Sequence, residues 1–252
     1  MTIKRFLQSF LISPDKLKEI HSNFLVSNLL SSTSQPMTID GRSAMVFSPH
    51  QDDETLGCGG MIALKRQCKG SVSVVFLTDG QSGVADHRLS RDQRVELRKQ
   101  EAIAALAILG VEKSDVHFLN KPDGTLNHLS ELQRQQTIDH LIQLLRDYQP
   151  QEIYVPHRRD RHADHEATYE LVQAAMMQLG LQATVRQYPV WILWKAPLLI
   201  DLQVRELVGS KRLSIQSVAE QKRAAIAVYE SQCQALPTGF LKRFMTGDEF
   251  FW

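Results

Sequence analysis

The sequence predicts the α/β class, with a mostly parallel sheet carrying helices on both faces. Two observations carry this. Short apolar runs of strand length alternate along the chain with longer segments of helical periodicity, the pattern of successive βαβ units. The composition, 43% hydrophobic and 23% charged over 252 residues, allows one large core and excludes wholesale disorder.

Taken in order, Ser13-Pro14 has the form of an N-cap followed by proline at the first helical position, and Leu17, Ile20, Phe24 and Leu25 recur at helical spacing. Residues 15–30 therefore read as an amphipathic helix, followed by the polar stretch Ser31–Gln35. Residues 1–35 are set apart as an N-terminal helical extension that either packs on the main domain or serves association, and residues 36–252 as the main domain. Ala44–Ser48 reads as a strand, 57–68 as a helix, and Val72–Thr78 as a buried strand ended by Asp79-Gly80. A helix over 91–109 closes at Gly110, Val116–Leu119 is a short strand, and Pro122-Asp123-Gly124 a turn. Next come a helix over 130–148, a strand at Ile153–Pro156 and a helix over 164–179 ended by Gly180. Val190–Trp194 is read as a strand and 214–231 as a helix. Strands separated by helices give a Rossmann-like three-layer fold.

The bulk numbers exclude several classes. A net charge of +1 argues against a nucleic-acid binder driven by bulk electrostatics. Cys58, Cys68 and Cys233 are odd in number and form no CxxC pair, so neither a disulfide framework nor a cysteine-rich zinc site is expected, and Cys58 and Cys68 read as buried packing residues. The apolar run Phe6–Ile12 is cut off by Pro14, Asp15 and Lys16, with no small-residue cleavage site close behind. No stretch approaches the roughly 20 apolar residues of a membrane span, and a cytoplasmic location is the default expectation.

The chemistry concentrates in two clusters. Ser48-Pro49-His50-Gln51-Asp52-Asp53-Glu54 follows the first core strand, and His157-Arg158-Arg159-Asp160-Arg161-His162-Ala163-Asp164-His165 follows the strand Ile153–Pro156. In an open α/β sheet both belong to the carboxyl edge, where ligands bind. Three consecutive carboxylates repel one another unless a cation offsets them. A solvated acidic loop capping the next helix explains any one of these acids. The histidine with the acids, matched by a second cluster, points instead to a metal. Two histidines and one carboxylate leave a fourth position for water, the pattern of a catalytic zinc site.

These residues resemble the PIG-L/LmbE-like N-deacetylases, whose motifs have the forms His-Pro-Asp-Asp-Glu and His-Pro-Asp-His. Here they stand as His50-Gln51-Asp52-Asp53-Glu54 and His162-Ala163-Asp164-His165. The resemblance runs from about Ala44 to the end and includes Thr78-Asp79-Gly80, Arg98 and Glu101, Pro122-Asp123-Gly124, and Lys222 with Tyr229-Glu230-Ser231-Gln232. It implies a zinc-dependent enzyme, with iron(II) an alternative metal, that removes an acetyl group from an N-acetylglucosaminyl-type small molecule or conjugate. It further implies metal ligation by His50, Asp53 and His165, Asp52 as general base, His162 facing the reacting carbonyl or leaving amine, and Asp164 orienting His162. Gln51 and Ala163 replace the two prolines, which is expected to loosen each turn without removing a ligand.

Four further residues are candidate substrate contacts: Arg98, Asp123, Asp79 and Asp160. Each also has an ordinary reading, Arg98 as a helix ion pair and Asp79 and Asp123 as turn residues. Arg158, Arg159, Arg161, Arg88, Arg91 and Arg94 flank the site and could receive an anionic aglycone, but pairing with Asp86, Asp92 and Asp160 explains them as well. Three rival functions are weaker. His50-x-Asp52 with His165 also spells the facial triad of a non-haem iron(II) enzyme, which would leave Asp53 and the His162–Asp164 pair idle. A catalytically silent binding protein of the same fold would not need the whole motif set. A dinucleotide binder is disfavoured because Gly57-Cys58-Gly59-Gly60 lacks GxGxxG spacing and follows acids that repel pyrophosphate. Those glycines instead suit close packing of the helix start.

Overall fold

The structure, a computed structural model, describes residues 14–84, 86, 88–195, 209–245 and 247–252. Along the chain these form α1 (Pro14–Phe24), β1 (Gln35–Met37), β2 (Ala44–Ser48), α2 (Asp53–Gln67), β3 (Val72–Thr78), α3 (Arg91–Ile108) and β4 (Val116–Lys121). There follow α4 (Glu131–Tyr148), β5 (Glu152–Pro156), α5 (Ala163–Leu179), β6 (Thr184–Tyr188) and α6 (Ile192–Lys195). The last elements are β7 (Lys211–Ser214), α7 (Ala219–Val228), α8 (Glu230–Cys233), α9 (Thr238–Phe244) and β8 (Asp248–Phe251).

Five strands make one parallel sheet in the order β4-β3-β2-β5-β6. Every residue of β2, β3 and β5 is buried, as a sheet covered on both faces requires. Alternation sorts the two faces. Ala44 and Val46 join a core with Met61 and Ile62 of α2, Ala102 and Leu106 of α3, and Ile226 of α7. Met45 and Phe47 point the other way, to Ile138 and Leu141 of α4 and Leu171 and Val172 of α5. The sheet with helices on both faces is the architecture expected from the sequence. α3 and α4 start where they do because Ser90 with Gln93, and Ser130 with Gln133, each close a capping box that satisfies the first free N–H groups.

Several expectations shift. α2 begins at Asp53, four residues before the expected start, because acids in the first helical turn are favoured by the helix dipole. The strand expected at Val190–Trp194 lies at Thr184–Tyr188, and Ile192–Lys195 is a helical turn. A short buried apolar run has no period that separates the two. The helix expected over 214–231 breaks at Tyr229 into α7 and α8. β1, β7 and β8, of three or four residues each, form a second sheet in the order β1-β7-β8 that the sequence pattern did not reveal. Cys58 is buried as expected, but Cys68 is exposed at the end of α2.

α1 packs against α6 and α9, and Leu30 just beyond it is buried with Ile192, Leu193 and Phe250. Ser13 and the run Phe6–Ile12 lie outside the described residues. Among the described residues no helix is long and apolar enough to cross a membrane.

The C-terminal tail is bolted to α2. The Glu249 carboxylate accepts from the Gly60 and Met61 N–H groups (2.6 and 2.8 Å) and from Lys222 Nζ (2.7 Å), which also donates to the Leu56 carbonyl (2.8 Å). Both members of this ion pair are buried, so each depends on the other for its counter-charge. The glycines of α2 permit the approach: a Cβ on Gly57 would stand 2.3 Å from the Tyr188 ring, and one on Gly60 2.4 Å from Ile215. Gly60→Ala gains about 1 kcal/mol of helix propensity, but overpacking against Ile215 costs about 1–3 kcal/mol. Urea denaturation is therefore expected to show a net loss of stability, and an unchanged or raised midpoint would contradict the packing described.

Candidate active site

β2 and β5 are parallel neighbours at the centre of the sheet, so the turns that follow them leave the same edge. The first turn of α2 then delivers Asp53 and the first turn of α5 delivers His165, while His50 sits between strand and helix. His50 Nδ1 is 3.0 Å from Asp53 Oδ2, and His165 Nε2 is 3.2 Å from the same oxygen without hydrogen-bond alignment. Each ring's other nitrogen is already engaged. His50 Nε2 lies 3.1 Å from Asp123 Oδ1 and 3.2 Å from Asp164 Oδ2, and His165 Nδ1 lies 2.7 Å from Asp160 Oδ2.

Those partners fix the tautomers: Nε2–H on His50 and Nδ1–H on His165 point at carboxylates. Once the second proton of each ring is given up, two imine lone pairs and a carboxylate oxygen face one another, an arrangement suited to a cation. Tetrahedral zinc with bonds of about 2.0–2.1 Å needs ligand atoms about 3.3 Å apart. The observed separations of 3.0 and 3.2 Å suit that, and all three ligand atoms lie within 4.8 Å of one another. His50, His162 and Asp164 also lie within that limit, but the Asp164 oxygens are taken by the Gly124 and Leu126 N–H groups (2.7 and 2.9 Å). The donor set His50, Asp53 and His165 fits a metal better.

The electrostatics agree with a site built for positive charge. Burial opposes protonation of His165, yet Asp53 and Asp160 outweigh it and raise its pKa to about 9. Burial likewise disfavours charged His50, but Asp123, Asp164 and Asp53 hold its pKa well above the usual imidazole range. Asp53 is pulled far below the ordinary carboxylate range by His165 and His50 despite its burial.

Asp52 occupies the turn with φ 147°, a conformation that L-residues rarely adopt and that costs on the order of 1–3 kcal/mol. Its side chain makes no helix-capping bond and instead lines the cleft, 3.4 Å from Arg98 Nη2. Burial raises its pKa to about 7, against the pull of Arg98 and with the push of Asp53. Arg98 is 2% exposed, and its Nε and Nη1 have no partner among the described residues, so the guanidinium presents unused donors beside Asp52. The cleft is completed by Ser82, Gly83, Asp123, His162, Trp191, Gln232, Ala235 and Leu236.

Not every expected site residue lies where the sequence put it. Asp164 is buried but contacts His50, not His162, because its oxygens turn into the 124–126 loop. His162 lines the cleft with its Nδ1 without a partner among the described residues, and burial with the nearby His165 and His50 lowers its pKa to about 4. Asp160 does not face the cleft. It is fully buried, and besides His165 it accepts from the Val190, Trp191 and Ile192 N–H groups, each at 3.0 Å. Asp79 is also buried and internally occupied, by Arg91 (2.8 Å) and the Asp123 N–H (3.1 Å), so it shapes the loop that presents Asp123. Arg88 pairs with Asp86 and Arg94 bonds the Gln81 and Leu89 carbonyls. Gln51 fastens its turn to the neighbouring strand: the buried amide donates to the Thr78 carbonyl at 2.8 Å, at the end of β3.

Sequence reasoning missed Trp191 and Gln232. Trp191 stacks on Phe240 at 4.4 Å and stands 6.5 Å from the His162 ring, so Phe240 of α9 backs the wall of the cleft that Trp191 forms. It was hidden inside a run read as a strand. Gln232 sits in a motif that carries the resemblance but had been given no task.

The profile of the PIG-L family, described as GlcNAc-PI de-N-acetylase, matches residues 45–176, which hold both clusters. The chain belongs to this family. It is 28% identical over 134 residues to a diacetylchitobiose deacetylase of Thermococcus kodakarensis, an alignment covering 52% of this chain and 46% of that enzyme. The chain thus spans about half the length of that relative. It is 32% identical over 153 residues to the uncharacterized deacetylase YaiS of Escherichia coli, covering 60% of this chain and 74% of the relative. Among solved structures, the conserved protein TT1542 of Thermus thermophilus superposes with a TM-score of 0.61 at 27% identity, covering 80% of this chain and 84% of the other.

A carboxylate behind a metal-binding imidazole sets its orientation and basicity, and losing one lowers metal affinity about 10–100-fold. Were His50, Asp53 and His165 to share a zinc ion, Asp160→Asn would weaken zinc retention by that order in a chelator competition. Unchanged retention would remove Asp160 from the support of His165.

Proposed function

We propose that this PIG-L family member is a metal-dependent N-deacetylase, hydrolysing the acetamide of an N-acetylglucosaminyl-type small molecule or conjugate. One observation carries the reading. His50 Nδ1, Asp53 Oδ2 and the buried His165 Nε2 converge at the floor of a cleft that His50 and Asp53 line, with the strained, cleft-facing Asp52 beside Asp53. The relatedness to named deacetylases supports the same reaction.

His50, Asp53 and His165 would hold the metal, zinc or iron(II), with Asp164 and Asp160 orienting the two rings. When bound, such a metal supplies Lewis acidity, which lowers the pKa of water to about 7 and polarises a carbonyl. Asp52 serves as general base: it takes a proton from the attacking water and returns it to the leaving nitrogen. Its position suits this, since its side chain is free of any capping bond and faces the cleft beside Asp53. His162, on the cleft wall 4.9 Å ring to ring from His50, faces the developing oxyanion or the departing amine. Arg98 and Asp123, which both line the cleft, bind substrate hydroxyls. Water excluded by the bound sugar strengthens each of these contacts.

The test is acetate release from a panel of N-acetylglucosamine conjugates, after chelation and after adding back zinc or iron(II). Release that stops with chelator and returns with metal is the expected result. No release from any conjugate would count against the proposed substrate class. Asp52→Asn is expected to keep its metal while kcat falls about 10²–10⁴-fold, the usual contribution of a general base. Near-normal turnover in that variant would take the base role away from Asp52.

A further inference from the structure

The Tyr229-Glu230-Ser231-Gln232 run has no part in the chemistry above, yet its polar members reach three different elements around the cleft, α3, α2 and the segment that holds Gly83. Ser231 binds Glu101 through both its N–H (2.9 Å) and its hydroxyl (2.6 Å), on the helix that carries Arg98. Gln232 Nε2 donates to the Gly83 carbonyl at 2.9 Å. Tyr229, buried at the break between α7 and α8, donates its hydroxyl to Glu54 Oε1 at 2.5 Å.

Glu54 is the informative partner. It is completely buried beside Asp52 and Asp53 and makes no ion pair among the described residues. Its carboxylate is held entirely by hydrogen-bond donors: Tyr229, the Thr55 hydroxyl (2.6 Å) and the Asp52 backbone N–H at 3.1 Å on Oε2. That last bond reaches the residue with the strained φ of 147°. A strained backbone persists only where its surroundings over-determine it. The Asp52 N–H has Glu54 as its acceptor, and Glu54 in turn is aimed by Tyr229 and Thr55.

We propose that Tyr229 is a positioning residue that acts through Glu54 to hold the backbone of Asp52, and with it the direction of the Asp52 carboxylate into the cleft. This rests on the deacetylase reading for its catalytic consequence, but the tie itself is independent of any activity. The break between α7 and α8 then has a purpose: a continuous helix over 219–233 would carry the residues after Tyr229 away from Glu101 and Gly83.

The test compares the metal-loaded full chain with Tyr229→Phe, which removes only the hydroxyl, and with Ile226→Ala, which loosens α7 without touching Glu54. Amide hydrogen exchange over residues 50–56 is expected to speed up about tenfold in Tyr229→Phe, the effect of one lost hydrogen bond, while β3 is unchanged. In the same variant kcat is expected to fall about tenfold with KM within about twofold and zinc content unchanged. Ile226→Ala is expected to lower the melting temperature while leaving exchange over 50–56, and kcat, as in the unmutated protein. Unaltered exchange in Tyr229→Phe, or equal acceleration in Ile226→Ala, would overturn the proposal. Acetate release absent from the unmutated protein would instead overturn the deacetylase reading, and the exchange result would still decide the role of Tyr229.

Discussion

The structure around the cleft is organised by the burial of three successive carboxylates, Asp52, Asp53 and Glu54, at the carboxyl edge of the sheet. Like charges at such spacing repel by several kcal/mol at the effective dielectric of a protein interior, about 4 kcal/mol for two charges 4 Å apart. Each acid is therefore given a different partner. Asp52 faces the Arg98 guanidinium, Asp53 faces two imidazoles, and Glu54 is enclosed by hydroxyls and a backbone N–H. The helix start adds its own attraction for negative charge at Asp53 and Glu54. Most of the remaining buried polar residues of the site follow from this division: Asp160 and Asp164 serve the imidazoles that serve Asp53.

The fold supplies what the division needs. Parallel strands send every βα turn to one edge, and the central pair β2 and β5 places the two histidine-bearing clusters side by side. The turn after β3 adds Asp79, which organises the Asp123 loop, and α3 brings Arg98 in from the flank. The C-terminal elements close the opposite wall. α6 and α9 set Trp191 against Phe240, and the Lys222–Glu249 pair holds the tail onto α2. Asp160 links the two sides, since one carboxylate holds both His165 and the segment that carries Trp191.

This chain departs from the usual motif at Gln51 and Ala163, and the two positions differ in consequence. Proline would restrict the backbone at each. Gln51 replaces that covalent restriction with a hydrogen bond to the Thr78 carbonyl, and its Oε1 stands where a side chain on Gly80 would have to go. Gly80, at φ 63°, is thereby required twice, by the turn and by the amide beside it. At Ala163 the helix simply begins, with His162 in an extended conformation before it.

The sequence by itself determined the layering, the central strands and both clusters, because these depend on local signals: apolar runs buried on two faces, capping residues, and acids beside histidines at strand ends. The strands Ala44–Ser48 and Val72–Thr78 were legible residue by residue for that reason. Which atom meets which was decided by tertiary structure alone. Asp164 and Asp160 were each expected to serve something else. The first supports His50, 114 positions away in sequence, and the second sits behind His165 with its oxygens filled by backbone N–H groups. Nothing in residue type or spacing records the direction of a carboxylate once it is buried, since that is set by which donors the surrounding loops offer. The partners of Glu54 were unreadable for the same reason: Tyr229 is 175 positions away and comes within reach only because α7 packs against α2 and stops there.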